Sequence, residues 1–230
     1  ALETVSVTAA GALNVGLATA SLTALSNISY TATGTLGSIT ADNIGSATVT
    51  GLTVNATAAK AITIGNVSAL GLTAMTVAGT SGAVTVGSID SALSDIGTVS
   101  LTATNGLLAV ETITSTDEIG TVTLTSTAGG IDLEATTAVL ANDDTGITVN
   151  MSAATFINDT GLTGGGTSLV SNTAGDITST LSGAAVAIVA YTSAGNAGSV
   201  NLNAVGLTGG LTTVITNDEI IGAGSSTITL

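Results

Sequence analysis

The 230-residue chain contains no cysteine, histidine, proline or tryptophan, and no arginine or glutamine. Each absence removes a class of chemistry. Without cysteine there are no disulfides, thiol nucleophiles or zinc–thiolate sites. Without histidine, imidazole acid–base catalysis and Ser-His-Asp triads are excluded. Lys60 is the only basic residue against 15 acids, which gives a net charge of −14 and a pI near 4.1. One cation and three aromatic rings (Tyr30, Phe156 and Tyr191) cannot supply the phosphate contacts and stacking platforms of a nucleic-acid binder. No apolar run approaches the ~18 residues of a membrane-spanning helix, so no membrane span is expected. No signal peptide is visible and the first residue is Ala, so the chain reads as a processed product or a segment of something longer.

What is present is small, apolar and hydroxylated. Apolar residues make up 44% and charged ones only 7%, which separates the chain from highly charged disordered tails. With so few rings, a core must draw its stability from many small, regular contacts. A phrase also recurs: IGTVSLTATNG at 96–106 returns as IGTVTLTSTAGG at 119–130.

Taking Val99, Leu101 and Ala103 as inward positions of a strand, the second copy supplies Val122, Leu124 and Ser126. Further copies start at Val5, Ile28, Leu52, Met75 and Ile147, with spacings of 23, 24, 23, 24, 23 and 25 residues along the series. Period-2 alternation held over that spacing signals a repeated strand. A second column contains Ile39/Ala41, Ile62/Ile64, Val84/Val86, Leu108/Val110 and Ile131/Leu133. A third begins at Ile44, Val67, Ile89, Ile113 and Val139. Corners rich in Gly, Asn, Asp and Ser separate the columns, as turn geometry favours. Proline would delete a ladder donor, so its absence suits a chain that is nearly all ladder.

The predicted fold is therefore an all-β, right-handed parallel β-solenoid with three short strands per turn of 23–25 residues and about nine turns, each pairing with the next about 4.8 Å along the axis. Residues 1–155 read as regular solenoid. Residues 156–230 read as its continuation, with Leu169, Val200 and Ile228 as first-strand positions and with GLTGGGTSL (161–169) and GLTGGLTTV (206–214) as longer corner loops.

Thr/Ala/Gly/Ser-rich, acidic, Cys-free stretches such as VSVTAAGALNVGLATASLTA (5–24) resemble prokaryotic surface-layer proteins and haemagglutinin-like adhesins. The resemblance covers most of the chain in composition and architecture and contains no specific motif. It implies secretion, an extracellular position at the cell surface, and assembly with itself and other cell-envelope components. It also implies calcium as a cofactor, although the G-G-x-G-x-D-x nonapeptide is missing, so no residue inherits a calcium role from it.

Three kinds of site follow from the residues. The end strands, Thr4, Val5, Ser6 and Val7 at one end and Thr227, Ile228, Thr229 and Leu230 at the other, are expected to be assembly edges, because unpaired strands are templates for another strand. Asp95, Asp117 and Glu118 occupy equivalent corners of consecutive turns, and Asp143 with Asp144 forms a further acid pair. Clustered carboxylates suit hard cations such as calcium, and they equally suit a solvated acidic surface. The outward face of the first column carries Thr53, Thr76, Thr102, Thr123, Thr125 and Thr148 among ranks of Ser and Asn. Such arrays resemble ice-binding faces, while Thr is also simply a good polar residue for a strand surface. Sequons at Asn27, Asn55, Asn66, Asn150 and Asn158 are about as numerous as chance gives.

No enzyme is expected. The acid pairs lack the aromatic platforms of glycoside hydrolases, and Lys60 has no evident catalytic partner. The expected function is structural, a self-assembling subunit of a surface layer or filament. An adhesin stalk is the alternative and an ice-binding solenoid the next.

Overall fold

The computed structural model describes residues 2–16, 23–45, 48–133, 139–142, 146–158, 170–173, 175–194, 199–218 and 226–230. Strands built from alternating Val, Ile, Leu and Thr stack in parallel, coil upon coil. Ten of them form the first sheet: β1 (Thr4–Ala9), β3 (Asn27–Ala32), β6 (Leu52–Ala58), β9 (Leu72–Gly79), β12 (Ile96–Ala103), β15 (Ile119–Ser126), β18 (Ile147–Ala153), β21 (Ile177–Gly183), β23 (Val200–Leu207) and β25 (Thr227–Thr229). A second column contains β2 (Leu13–Val15), β4 (Ile39–Ala41), β7 (Ile62–Ile64), β10 (Val84–Val86), β13 (Leu108–Val110), β16 (Ile131–Leu133) and β19 (Phe156–Asn158). The third holds β5 (Ile44–Gly45), β8 (Val67–Ala69), β11 (Ile89–Ser91), β14 (Ile113–Ser115), β17 (Val139–Ala141) and β20 (Val170–Asn172). This is the parallel β-solenoid that the repeat predicts.

Near the C-terminal end the cross-section changes. β22 (Val186–Ala194) pairs with β19 through Val186 and Ala187 and with β20 through Tyr191 to Ser193, so one straight strand covers two columns. β24 (Leu211–Asp218) repeats it in register. The cause is local: earlier coils place Asp42-Asn43, Gly65-Asn66 or Gly87-Ser88 between the columns, whereas VAIVAYTSA has no turn residue there. Six coils thus have three strands and two have two, so about eight turns are complete. The expectation of nine counted the opening coil, which shows β1 and β2 but no third strand among the described residues.

Two stretches shift by two residues from the expected register. Val54, not Leu52, sits on Ile28, because the coil between them is two residues longer than the repeat spacing assumes, while a bulge between Leu52 and Thr53 interrupts the next pairing, with β9. Val149, not Ile147, sits on Val122, while Ile147 pairs with Ile177. A shift of two keeps every side chain on its face, so the inward and outward assignments survive it. Leu169 lies outside the described residues, as does 161–168, and the first-sheet strand of that coil begins at Ile177. The segment 206–214 is not a long loop: Gly206 and Leu207 end β23 and Leu211 opens β24.

Inward side chains stack like on like along the axis. Val99 and Val122 are buried beneath Met75, and Leu101 and Leu124 beneath Val77. Volume is balanced where residues differ, since Tyr30 lies against Ala56. The ladder also runs through corners, as Gly65 N–H donates to the Ala41 carbonyl at 3.0 Å and Gly87 N–H to Ile64 at 3.0 Å. Side chains reinforce it: Asn66 N–H donates to Asn43 Oδ1 (2.8 Å) and Ser88 N–H to Asn66 Oδ1 (3.1 Å). Buried hydroxyls close the third corner, where Ser91 Oγ lies 2.5 Å from the Ser94 carbonyl and Ser115 Oγ donates to the same oxygen at 3.1 Å.

Close stacking makes one column of glycines obligatory. A Cβ on Gly106 would strike the Gly82 carbonyl, and one on Gly129 the Gly106 carbonyl, whereas a Cβ on Gly11 would meet nothing within 4 Å. Gly106→Ala should therefore cost about 1–3 kcal/mol in denaturant unfolding, with Gly11→Ala near neutral. Equal effects of the two would contradict the stacking at this corner.

The two tyrosines give a pH signature. Burial pushes the Tyr191 hydroxyl above the usual 10.0, against a 2.8 Å hydrogen bond with Ser179 Oγ that pulls it down. Burial likewise raises Tyr30, whose hydroxyl has no hydrogen-bond partner among the described residues. Both phenols hold protons more tightly when folded, so their contribution is complete below about pH 10 and lost as pH rises beyond it. Unfolding free energy should fall above that pH, and the double change Tyr30→Phe with Tyr191→Phe should flatten the fall. At neutral pH Tyr191→Phe should cost about 1 kcal/mol, while Tyr30→Phe should cost nothing.

Candidate functional site

The features that sequence reading singled out fall on three different parts of the solenoid. At the ends, among the described residues, β1 pairs with β3 alone and β25 with β23 alone. Val5 and Val7 of β1 are partly buried against the core, which is therefore incompletely covered there. At the other end all of β25 is exposed, with Ile228 at 46%, and Leu230 just beyond it is at 82%. Leu211 and Ile215 of β24 are likewise only partly covered. Thr4, Ser6, Thr227 and Thr229 belong to the same two strands.

The acids lie at corners. Ile96 pairs with Ile119, so Asp95 and Glu118 precede equivalent residues of adjacent coils, one coil apart as the repeat predicts. Asp117 is exposed, its backbone carbonyl accepting from Asn142 N–H at 3.1 Å and its N–H donating to Ser115 Oγ at 3.1 Å. Asp143 and Asp144 lie outside the described residues. Among the described residues no group of three acids stands close enough to hold a metal ion. Asp176 ties one coil to the next, with its Oδ1 accepting from Ser199 N–H (2.7 Å) and from Ser199 Oγ (2.9 Å). The sequence reading missed this role, although an Asp two coils on from a matching corner was its visible signal.

The hydroxyl face is broader than expected. Register resolves it into three ranks. Thr53 and Thr148 share the first with Asn27, Thr98, Thr121 and Thr178. Thr76 and Thr123 share the second with Ser100, while Thr102 and Thr125 share the third with Thr31 and Thr57. All six predicted residues thus face outward from the first sheet, but Thr53 and Thr148 move to a neighbouring rank through the two-residue shifts. Of the sequons, Asn66 is occupied in the corner ladder and Asn27, Asn55 and Asn150 stand on first-sheet strands.

An open cleft of about 690 Å³ lies against the second column, lined by Thr40, Thr63, Asp42 and Asn43. Its described lining holds one carboxylate, and the Asn43 side chain is engaged with the next coil. A smaller dent of about 130 Å³ on the first sheet is lined by Thr123, Thr125, Asn150, Ser152, Thr180 and Ser182. The described residues include no helix long and apolar enough to cross a membrane. The chain matches no protein family, no curated protein and no solved structure.

Proposed function

We propose that this chain is a structural subunit, an extracellular solenoid that joins end to end in a surface layer or filament. One observation carries the reading: among the described residues the outermost first-sheet strands β1 and β25 each pair with one neighbour, beside core residues left half covered. Such edges present rows of backbone donors and acceptors that another parallel strand can satisfy. Stiffness comes from the ladder and the continuous apolar columns. A single basic residue, Lys60, leaves trypsin-like proteases one cleavable position, which suits exposure outside the cell. The acidic corners would then respond to a hard cation such as calcium, which screens repulsion between like-charged ends.

Electron micrographs of the purified chain in about 5 mM calcium, and again in chelator, test the proposal. Filaments or sheets several molecules long in calcium, lost in chelator, are the expected result. Single short rods in both conditions would overturn end-to-end joining and leave the stalk of an adhesin as the better reading.

A further inference from the structure

The outer face of the first sheet differs from the rest of the surface in its charge. No acid or lysine stands in any of its ten strands, and its outward residues are Ser, Thr, Asn, Ala or Gly, with Val205 the one large exception. The strands of the second sheet, by contrast, carry Asp90 and Asp132. The two long borders of the uncharged face also differ. Corners leading into its strands hold Glu3, Asp95, Asp117, Glu118 and Asp176. Corners leading out of them (10–12, 33–38, 59–61, 80–83, 104–107, 127–130, 154–155, 184–185 and 208–210) hold no acid, and one holds Lys60.

We propose that two copies of this chain pair through that face, side by side with their long axes parallel. A two-fold axis relating two faces in contact must lie in the plane between them. If it ran along the strands, each acidic border would lie over the partner's acidic border. Run along the solenoid, it sets each acidic border over the partner's acid-free border with Lys60. For chains of net charge −14 the second arrangement avoids the strongest repulsion.

The size is adequate. Strands of about six residues are about 20 Å long, and nine strand spacings are about 43 Å. The face therefore offers about 850 Å² per copy, close to the ~800 Å² per partner of a standard stable interface. Small side chains let the sheets approach closely, and hydroxyls exchange bonds to bulk water for bonds across the contact, direct or through trapped water. Face pairing stands whether or not solenoids also join end to end.

This geometry makes a specific demand. Each strand faces its own counterpart, and the middle rank, containing Ser100 and Thr123, lies on the two-fold. Because the chain has no cysteine, Thr123→Cys is a clean reporter. Under mild oxidation it should cross-link into a covalent dimer of one molecule's length, while Thr63→Cys on the second column should not. Sedimentation equilibrium of the unaltered chain should show a dimer that tightens as salt rises from about 0.02 M to 0.5 M, since salt screens like net charges. Thr102→Glu with Thr125→Glu, which sets new acids against the partner's acidic border, should give a monomer with an unchanged β-sheet circular dichroism spectrum. A monomer at about 100 μM in the unaltered chain, or equal cross-linking at Thr63→Cys and Thr123→Cys, would overturn the proposal. End joining lengthens particles and face pairing widens them, so micrographs report the two separately.

Discussion

Every feature of this molecule depends on one contact, the parallel backbone ladder between a coil and its successor. Its spacing of about 4.8 Å is fixed by hydrogen-bond geometry and leaves no freedom to accommodate bulk. Identical positions must therefore be occupied by side chains that stack on their own kind. Val over Val and Leu over Leu fill the interior, and Thr, Ser and Asn line the exterior. Where corners stack backbone on backbone, as at Gly82, Gly106 and Gly129, no side chain fits at all. A chain without proline, with three rings and 68 Ser and Thr residues is what this constraint selects.

The same constraint decides where polarity and charge go. Strand interiors give an acid no partner along the stack except another acid in the next coil, and like charges directly opposed are unfavourable. Corners relieve this, because their side chains fan outward and can bond the next coil's backbone, as Asn43, Asn66 and Asp176 do. Charge thus collects along ridges and leaves one broad sheet face without any. The function proposed above and the pairing of copies both draw on this division: strand edges are available at the ends, an uncharged face along the side, and acidic ridges between.

Much of this was legible in the sequence because a strand's side-chain period of two and a repeat near 23 residues reinforce each other. The second and third columns begin where Ile39, Ile62, Val84, Ile44, Val67 and Ile89 predicted. What escaped reading has physical causes. The displacement at Leu52 comes from a coil two residues longer than the repeat assumes, and a two-residue slip preserves facing, so alternation cannot reveal it. The fusion of two columns into β22 depends on the absence of a turn residue in VAIVAYTSA, a negative signal amid short strands. The hydroxyl face was visible as Thr ranks, but its uneven borders emerge only once register assigns each acid to a corner. Asp95 and Glu118 precede paired residues of adjacent coils, whereas the pair Asp143 and Asp144 lies outside the described residues.

Residue-resolved amide hydrogen exchange tests the ladder most directly. If each coil is held by the next, first-sheet amides from Ile28 to Leu202 should be strongly protected and exchange together, with β1 and β25 at the two ends opening first. Fast, independent exchange of the interior strands β9, β12 and β15 would contradict the stacked ladder on which the whole account rests.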